Sequence, residues 1–464
     1  MMERINTKSA NYIFLVLLFI LSYYMFGERV PLILMEDELY HIVDSIVTNK
    51  ISSINPFHES YDFLGHPPFY RIMAVGWFSI FDLSHSNAHL FSIFLSISTL
   101  AIFLYYLSQF IPKIIASLAI LLTFFLPGIS NYFVECQADM PAVFLFFLTL
   151  YFLYKVKNRA ASLTMLILVL TRESAIALSI SLVIISFFKG RENLIKNALI
   201  TLPSFLGLIV FFSLNYFFRG KLSSHPFALG ELSHLEENIS FFSIGTAKIE
   251  SLFKVINIFE NALGFYFIII FFISSCILVK VFKRLDTRLR DSLLIQGLYS
   301  LFFLLFFIFF EDSIERDFLP VYFSMCFTIF TLVGYFKNKY CFLLLLILFS
   351  LGVYNSENGW RNNYLKSKQE VILSSIEHIE KNYQARKICF MWPIDAGTQK
   401  VHGYFKKKLD LECSNKTEVV VLNNLQNNGI QEKLRERVKE LGLKLSNRFV
   451  LNESQDYWYE VYVK

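Results

Sequence analysis

The chain has 464 residues, of which 55% are hydrophobic and only 17% charged, and it carries a net charge of +5. A soluble domain of that composition would expose far too much apolar surface, so the repeated apolar runs mark a polytopic membrane protein. The basic residues are scattered between those runs and form no stripe, which gives no sign of a nucleic-acid partner.

The first apolar run, residues 12–26, follows Arg4 and Lys8. No small-residue cleavage site comes after it, so it predicts a retained first helix rather than a signal peptide. A helix needs about 20 apolar residues to cross the hydrocarbon layer. On that measure the pattern predicts spans at 10–27, 89–110, 114–130, 140–155, 160–171, 174–188, 197–218, 262–282, 293–310, 318–336 and 340–354. Basic residues then sort to one side: Arg4 and Lys8, Lys113, Lys155 to Arg159, Lys189 to Lys196, Lys280 to Arg290, and Lys337 with Lys339. By the positive-inside rule these loops are cytoplasmic. The expectation is a plasma (inner) membrane protein with a cytoplasmic N-terminus and an extracytoplasmic C-terminal domain.

The segment 160–188 tests this scheme. One long helix would bury Arg172 and Glu173 mid-membrane, at roughly 2.5–3.5 kcal/mol each on insertion scales. Two short helices with those charges at an outer turn remove that cost. They also predict that the turn sits in a recess below the outer surface. The fold class expected is an all-α membrane domain, residues 1–354, of about 11 transmembrane helices. Interfacial helices are expected at 39–50 and 69–81 in the first outer loop. A small extracytoplasmic α/β domain follows, residues 355–464. Its strands are expected at 387–392, 418–422, 447–451 and 458–463, and its helices at 369–382 and 431–441. Cys276, Cys326 and Cys341 lie in apolar runs; Cys389 and Cys413 lie in the polar region, where a disulfide is open.

Five clusters carry candidate chemistry, and the topology puts all of them on the outer face. Glu36-Asp37-Glu38 follows the first span, with His41 one helical turn after Asp37. Such carboxylates suit a general base or a metal ligand, or simply a helix N-terminus. Next comes Gly65-His66-Pro67-Pro68, whose prolines fix His66 in a loop. Glu135 and Asp139 precede Pro141, and Asp139 there also reads as a helix N-cap. Arg172 and Glu173 sit in the recessed turn, either serving a ligand or neutralising each other. Glu315-Arg316-Asp317 opens a late span; the planar fork of Arg316 suits phosphate.

These residues, in this order, resemble the GT-C glycosyltransferases, in the branch with protein O-mannosyltransferases and the lipid A aminoarabinose transferase. Glu36-Asp37-Glu38-Leu39-Tyr40 is similar to the family's acidic element after the first span. His66-Pro67-Pro68-Phe69-Tyr70 resembles its basic Pro-Pro element, with histidine where some relatives have lysine. Gln137-Ala138-Asp139-Met140-Pro141 resembles the second acidic element. Leu170-Thr171-Arg172-Glu173-Ser174 resembles a short turn between spans that is often basic. Glu315-Arg316-Asp317-Phe318-Leu319-Pro320 is similar to a late Arg-Tyr-Leu-Pro element, although Asp317-Phe318 replaces the single aromatic. The likeness covers residues 10–340.

The resemblance implies a sugar donor on a polyprenyl phosphate and a glycan, lipid or protein acceptor, with membrane lipids around the chain. It implies Asp37 as general base with Asp139 beside it, and His66, Arg172 and Arg316 facing the donor phosphate. Glu38, His41, Glu135, Glu173 and Glu315 are supporting residues. A divalent metal on Asp37 and Asp139 stays open, and no organic cofactor is implied. Rival readings are a transporter or flippase, which would place its charges nearer the midplane, and an O-antigen polymerase- or ligase-like protein for lipid-linked saccharides.

Overall fold

The structure is a computed structural model. It describes residues 69–81, residues 85–219 apart from 131 and 134–137, most of 253–309, and 318–336. In the C-terminal region it describes 388–390, 418–423, 438–450 and 458–464, with scattered positions at 371–383 and 435–436. The chain divides into two compact units. One contains most of the helices; the other contains the C-terminal sheet and residues 75–89.

The helical elements, in chain order, are α1 (Phe69–Phe78), α2 (His85–Leu107), α3 (Lys113–Phe124), α4 (Pro127–Ser130), α5 (Asp139–Tyr154) and α6 (Asn158–Val169). They continue with α7 (Ile176–Lys189), α8 (Arg191–Arg219), α9 (Phe265–Val281), α10 (Thr287–Phe309) and α11 (Leu319–Phe336). Three of them are long and apolar enough to cross a membrane: α2, α8 and α11. Helices α3, α5 and α6 are apolar but shorter. The expected spans 10–27 and 340–354 and the interfacial helix at 39–50 lie outside the described residues. The span expected at 114–130 is interrupted. Pro127 offers no N–H and biases the residue before it away from helix, so α3 stops at Phe124 and a short turn of helix begins at Pro127.

Helix α11 is the centre of the helical unit and is buried over most of its length. Phe323 on it meets Phe103 of α2 at 5.3 Å and Phe147 of α5 at 5.9 Å between ring centroids. Helix α8 is the opposite case. Leu199, Leu202, Leu206 and Ile209 recur at helical spacing on its exposed side, as a lipid-facing stripe would.

Hydroxyls join the helices where the core is polar. Thr149 of α5 accepts from the Thr164 hydroxyl of α6, or donates to it, at 2.9 Å, and Ser179 of α7 meets Ser204 of α8 at 2.7 Å. The Tyr106 hydroxyl meets Ser292, which also accepts from the Gln296 amide at 3.1 Å.

In the second unit, β1 (Ile388–Phe390), β2 (Val419–Asn423), β3 (Lys444–Val450) and β4 (Trp458–Val463) form one sheet in the order β1-β2-β4-β3. The first pair is parallel and the other two are antiparallel. Strand β2 is an unbroken valine run with Val419, Val420 and Val421 all buried, as a strand covered on both faces requires. Val438, Leu441 and Leu443 pack on Val420. Strand β3 begins three residues before the expected start at 447. Gly442, at φ +71°, ends the preceding helix, and Lys444 pairs at once with Val463. Glu460 is buried in this sheet. It accepts from Arg435 at 3.2 Å and from the Tyr462 hydroxyl at 2.6 Å, and lies 3.7 Å from Arg448. Burial, aided by the Glu460 carboxylate, pushes the Tyr462 phenol up to about 12.

Candidate active site

The site is built at one end of the helical unit, from the break that the charges predict. Helix α6 stops at Val169 and Leu170, and Glu173–Ala175 forms a single 3₁₀ turn before α7. The open carbonyls at the end of α6 are satisfied locally and from afar. Arg172 N–H donates to Leu168 at 2.9 Å, and the Thr171 hydroxyl donates to Ile167 at 2.8 Å. Phe69 N–H donates to the Leu170 carbonyl at 3.0 Å. A helix start has spare donors and a helix end spare acceptors, so α1 docks end-on against α6. The Pro67-Pro68 pair lies immediately before that junction in the chain.

Helix α5 begins at the same level. Asp139 opens it and Pro141 falls in its first turn, where a missing N–H costs nothing. The expected capping role is corrected here: Ala138 is the N-cap residue, and no side chain caps the helix. Instead α2 holds the segment, with Ser96 donating to the Phe133 carbonyl at 3.0 Å and Thr99 donating to Met140 at the same distance.

The Asp139 carboxylate is taken by Arg172, which donates through Nη1. The pair joins the start of α5 to the end of α6, two neighbouring antiparallel helices. An acid at a helix start and a base at a helix end both suit the backbone dipoles. The side chains are 5% and 14% exposed, so this is a buried ion pair. The reading in which Arg172 and Glu173 simply neutralise each other does not describe it, since the guanidinium reaches Asp139.

Helix α8 runs past this turn. Ser179 faces Ser204, and from there α7 returns to Arg172 over about 10 Å, while α8 runs on to Arg219 over roughly 22 Å. Helix α8 therefore rises about 12 Å past the ion pair.

Two aromatic contacts bring Phe318 to the same end. Phe318, fully buried, follows Arg316-Asp317 in the chain and meets Phe303 of α10 at 6.5 Å and Phe259 at 5.2 Å. On the same face of α10, Tyr299 packs at 5.4 Å from Phe303 and at 4.5 Å from Phe146 of α5.

Of the residues expected to form the site, Asp139, Arg172 and Glu173 are described, and Asp139 and Arg172 are brought together. Asp37, Glu38, His41, His66, Glu135, Glu315 and Arg316 lie outside the described residues. Among the described residues no group of three or more His, Cys, Asp or Glu side chains could hold a metal ion. The Asp139 carboxylate accepts from the Arg172 guanidinium, and Asp37, the other residue expected at such a metal, lies outside the described residues.

The fold matches solved structures along almost its whole length. ArnT from Cupriavidus metallidurans in the apo state superposes with a TM-score of 0.56 at 11% identity, covering 96% of this chain and 97% of that one. The same protein bound to undecaprenyl phosphate gives 0.56 at 12% identity, covering 97% of each chain. The chain has the GT-C fold. A GT-C fold is thus present at a sequence identity too low to carry more than the fold itself. The Archaeoglobus fulgidus oligosaccharyltransferase in complex with Zn and sulfate also matches, at 11% identity over 88% of this chain and 68% of that one, but its TM-score of 0.48 carries no argument. No protein-family model matches the chain, and no curated protein is similar to it in sequence.

Proposed function

We propose that this chain is an integral membrane glycosyltransferase. It moves a sugar from a polyprenyl-phosphate-sugar donor to a glycan, lipid or protein acceptor on the extracytoplasmic face. The observation that carries the reading is the end-to-end GT-C fold, shared with an ArnT structure bound to undecaprenyl phosphate. On this reading about 11 helices cross the membrane, the N-terminus is cytoplasmic, and residues 355–464 form an extracytoplasmic α/β domain.

The reaction breaks the bond between the anomeric carbon and the phosphate oxygen. The electron pair leaves with the polyprenyl phosphate, and an acceptor oxygen attacks from the opposite side, which inverts the anomeric centre. Asp37 takes the acceptor's proton. Fixed cations offset the charge left on the phosphate, and Arg172, Arg316 and His66 fill that role. The burial of Arg172 supports its assignment, because a guanidinium in a water-poor recess acts on a phosphate with little solvent screening. Its guanidinium carries five N–H donors, one of which goes to Asp139. Asp139 positions Arg172 and is itself held by the start of α5.

The test is single-turnover cleavage of an undecaprenyl-phosphate-linked sugar by the purified full chain in lipid. The wild-type chain should release undecaprenyl phosphate in the presence of acceptor, and Asp37→Asn should lower the rate by about 10²–10⁴-fold. An Asp37→Asn variant with full activity at normal expression removes the base assignment. Movement of the intact donor between leaflets with no bond cleavage replaces the enzyme reading with the flippase one.

A further inference from the structure

We propose that Lys155 and Arg288, gathered on the ring of Tyr154, hold the headgroup phosphate of an anionic phospholipid in the cytoplasmic leaflet. The assignment takes only the sidedness of the basic loops from the reading above. It lies at the far end of α5 from Asp139 and owes nothing to the sugar-transfer chemistry.

Two cations from distant parts of the chain converge there. Lys155 follows the last residue of α5 and lies 5.1 Å from the centre of the Tyr154 ring; Arg288, in the first turn of α10, lies 5.3 Å from the same centre. The two charges are therefore no farther apart than those two distances laid end to end. Among the described residues neither side chain pairs with a carboxylate. The acids closest to Arg288 in sequence are engaged elsewhere: Asp286 accepts from the Arg288 backbone N–H at 2.9 Å, and Asp291 pairs with Lys189. Like charges brought together repel, and at a helix start the backbone dipole adds to the positive field. An anion shared by the two relieves both. A phosphate, with several acceptor oxygens, suits an ammonium and a planar guanidinium at once.

The platform is set before a ligand arrives. Tyr154 packs on Phe110 at 5.2 Å, and Phe110 packs on Tyr106 at 5.3 Å and on Phe327 of α11 at 5.6 Å. Lys155 donates to the Gln109 amide oxygen at 2.8 Å, and the amide nitrogen of Gln109 donates to the Tyr105 carbonyl at the same distance. A surface lysine ordinarily keeps its rotamer freedom; this one is tied to the end of α2.

The next residue favours a lipid over a free ion. Val156 has φ +57° and is 59% exposed. A β-branched residue rarely adopts that backbone, and helices that end in this way usually place glycine there. The N–H groups of Val156 and Lys157 close α5 on the Leu153 and Phe152 carbonyls, at 3.0 and 2.9 Å. The strained position thus sets an exposed apolar side chain beside a cation, the pairing that a charged headgroup with an acyl chain requires.

The experiment measures retention of phosphatidylglycerol and of phosphatidylcholine by the purified full chain, using native mass spectrometry from detergent that carries both lipids in equal amounts. The wild-type chain should retain phosphatidylglycerol preferentially. One basic contact to an anionic headgroup is worth about fivefold in affinity. Lys155→Gln and Arg288→Gln should each lose about that factor, the double variant should lose more than either, and phosphatidylcholine should be unaffected. Lys196→Gln, at an exposed lysine of another basic loop, should lose nothing measurable. The proposal is overturned if the wild-type chain retains both lipids equally. It is also overturned if Lys196→Gln loses as much as Lys155→Gln, since any basic residue of that face would then serve. Displacement of phosphatidylglycerol by inorganic phosphate, beyond that by chloride of equal ionic strength, would make the site one for a free anion and end the lipid assignment. Donor cleavage by the double variant should stay at the wild-type rate; a fall in step with lipid retention overturns the separate site. A wild-type chain that retains phosphatidylglycerol selectively but cleaves no donor supports this site and removes the transferase reading.

Discussion

The two ends of the helical unit handle charge in opposite ways. At one end Lys155 donates to Gln109 at 2.8 Å and faces the Tyr154 ring at 5.1 Å, Arg288 faces the same ring at 5.3 Å, and Lys189 pairs with Asp291. That pair is about one-third exposed on both sides, so water carries most of its solvation. At the other end Asp139 and Arg172 are nearly closed off from water. Surface pairs form wherever long side chains meet and are worth little. A buried pair must offset the desolvation of two ions, and an apolar pair of the same volume would often be as stable. Among the described residues, the ion pair closed off from water is the one at this end. That asymmetry is the physical reason for looking there for function.

The largest expected effect tests the buried end. Arg172→Gln removes the counter-charge of a carboxylate that is 95% shielded, and should cost about 3–5 kcal/mol of unfolding free energy in detergent. Adding Asp139→Asn to that variant should restore most of the loss, because the carboxylate left without its guanidinium is then replaced by a neutral amide. If the single variant costs under about 1 kcal/mol, the pair behaves like a surface contact and the contrast between the ends collapses.

Packing gives a second, smaller contrast. Gly334 of α11 lies against Ile111, and a Cβ placed there would meet both the Ile111 side chain near its root and, at 3.6 Å, its backbone. Neither can move without shifting the chain between α2 and α3. A Cβ on Gly207 of α8 would collide with an outer methyl of Leu166 and otherwise reach, at 3.9 Å, only the Leu166 branch carbon and a Leu170 methyl. A leucine tip can change rotamer, whereas a β-branched root cannot. Gly334→Ala should therefore cost about 1–3 kcal/mol, and Gly207→Ala less than about 1 kcal/mol, in the same unfolding assay. Equal costs would mean that helix packing near the recess is as unyielding as at the basic end.

Most helix positions were legible because membrane helices are apolar runs bounded by charge. The break at Arg172 was legible for the same reason: two ions in mid-membrane cost more than a turn. The partner of Arg172 was not. Asp139 is far from it in sequence, and a carboxylate two places before a proline reads equally well as a cap. Only the antiparallel packing of α5 on α6 brings the two together. The start of β3 was misplaced because Lys444 and Ser446 look like loop residues, and edge strands carry such residues freely.

The smallest expected effect belongs to the basic end, and it decides whether the comparison is about burial or merely about position. Lys189 and Asp291 join α7 to α10, as Asp139 and Arg172 join α5 to α6, so the two pairs are alike in architecture and differ in access to water. Lys189→Gln should cost no more than about 1 kcal/mol at low salt. Raising the ionic strength from about 0.01 M to about 1 M shortens the screening length from about 30 Å to about 3 Å, so the difference from wild type should vanish. The cost of Arg172→Gln should hardly change over the same range, because mobile ions do not enter a closed recess. A Lys189→Gln loss that persists at high salt would mean that both pairs are structural clamps of one kind. Burial at the Arg172 end would then be a by-product of where the helices happen to meet.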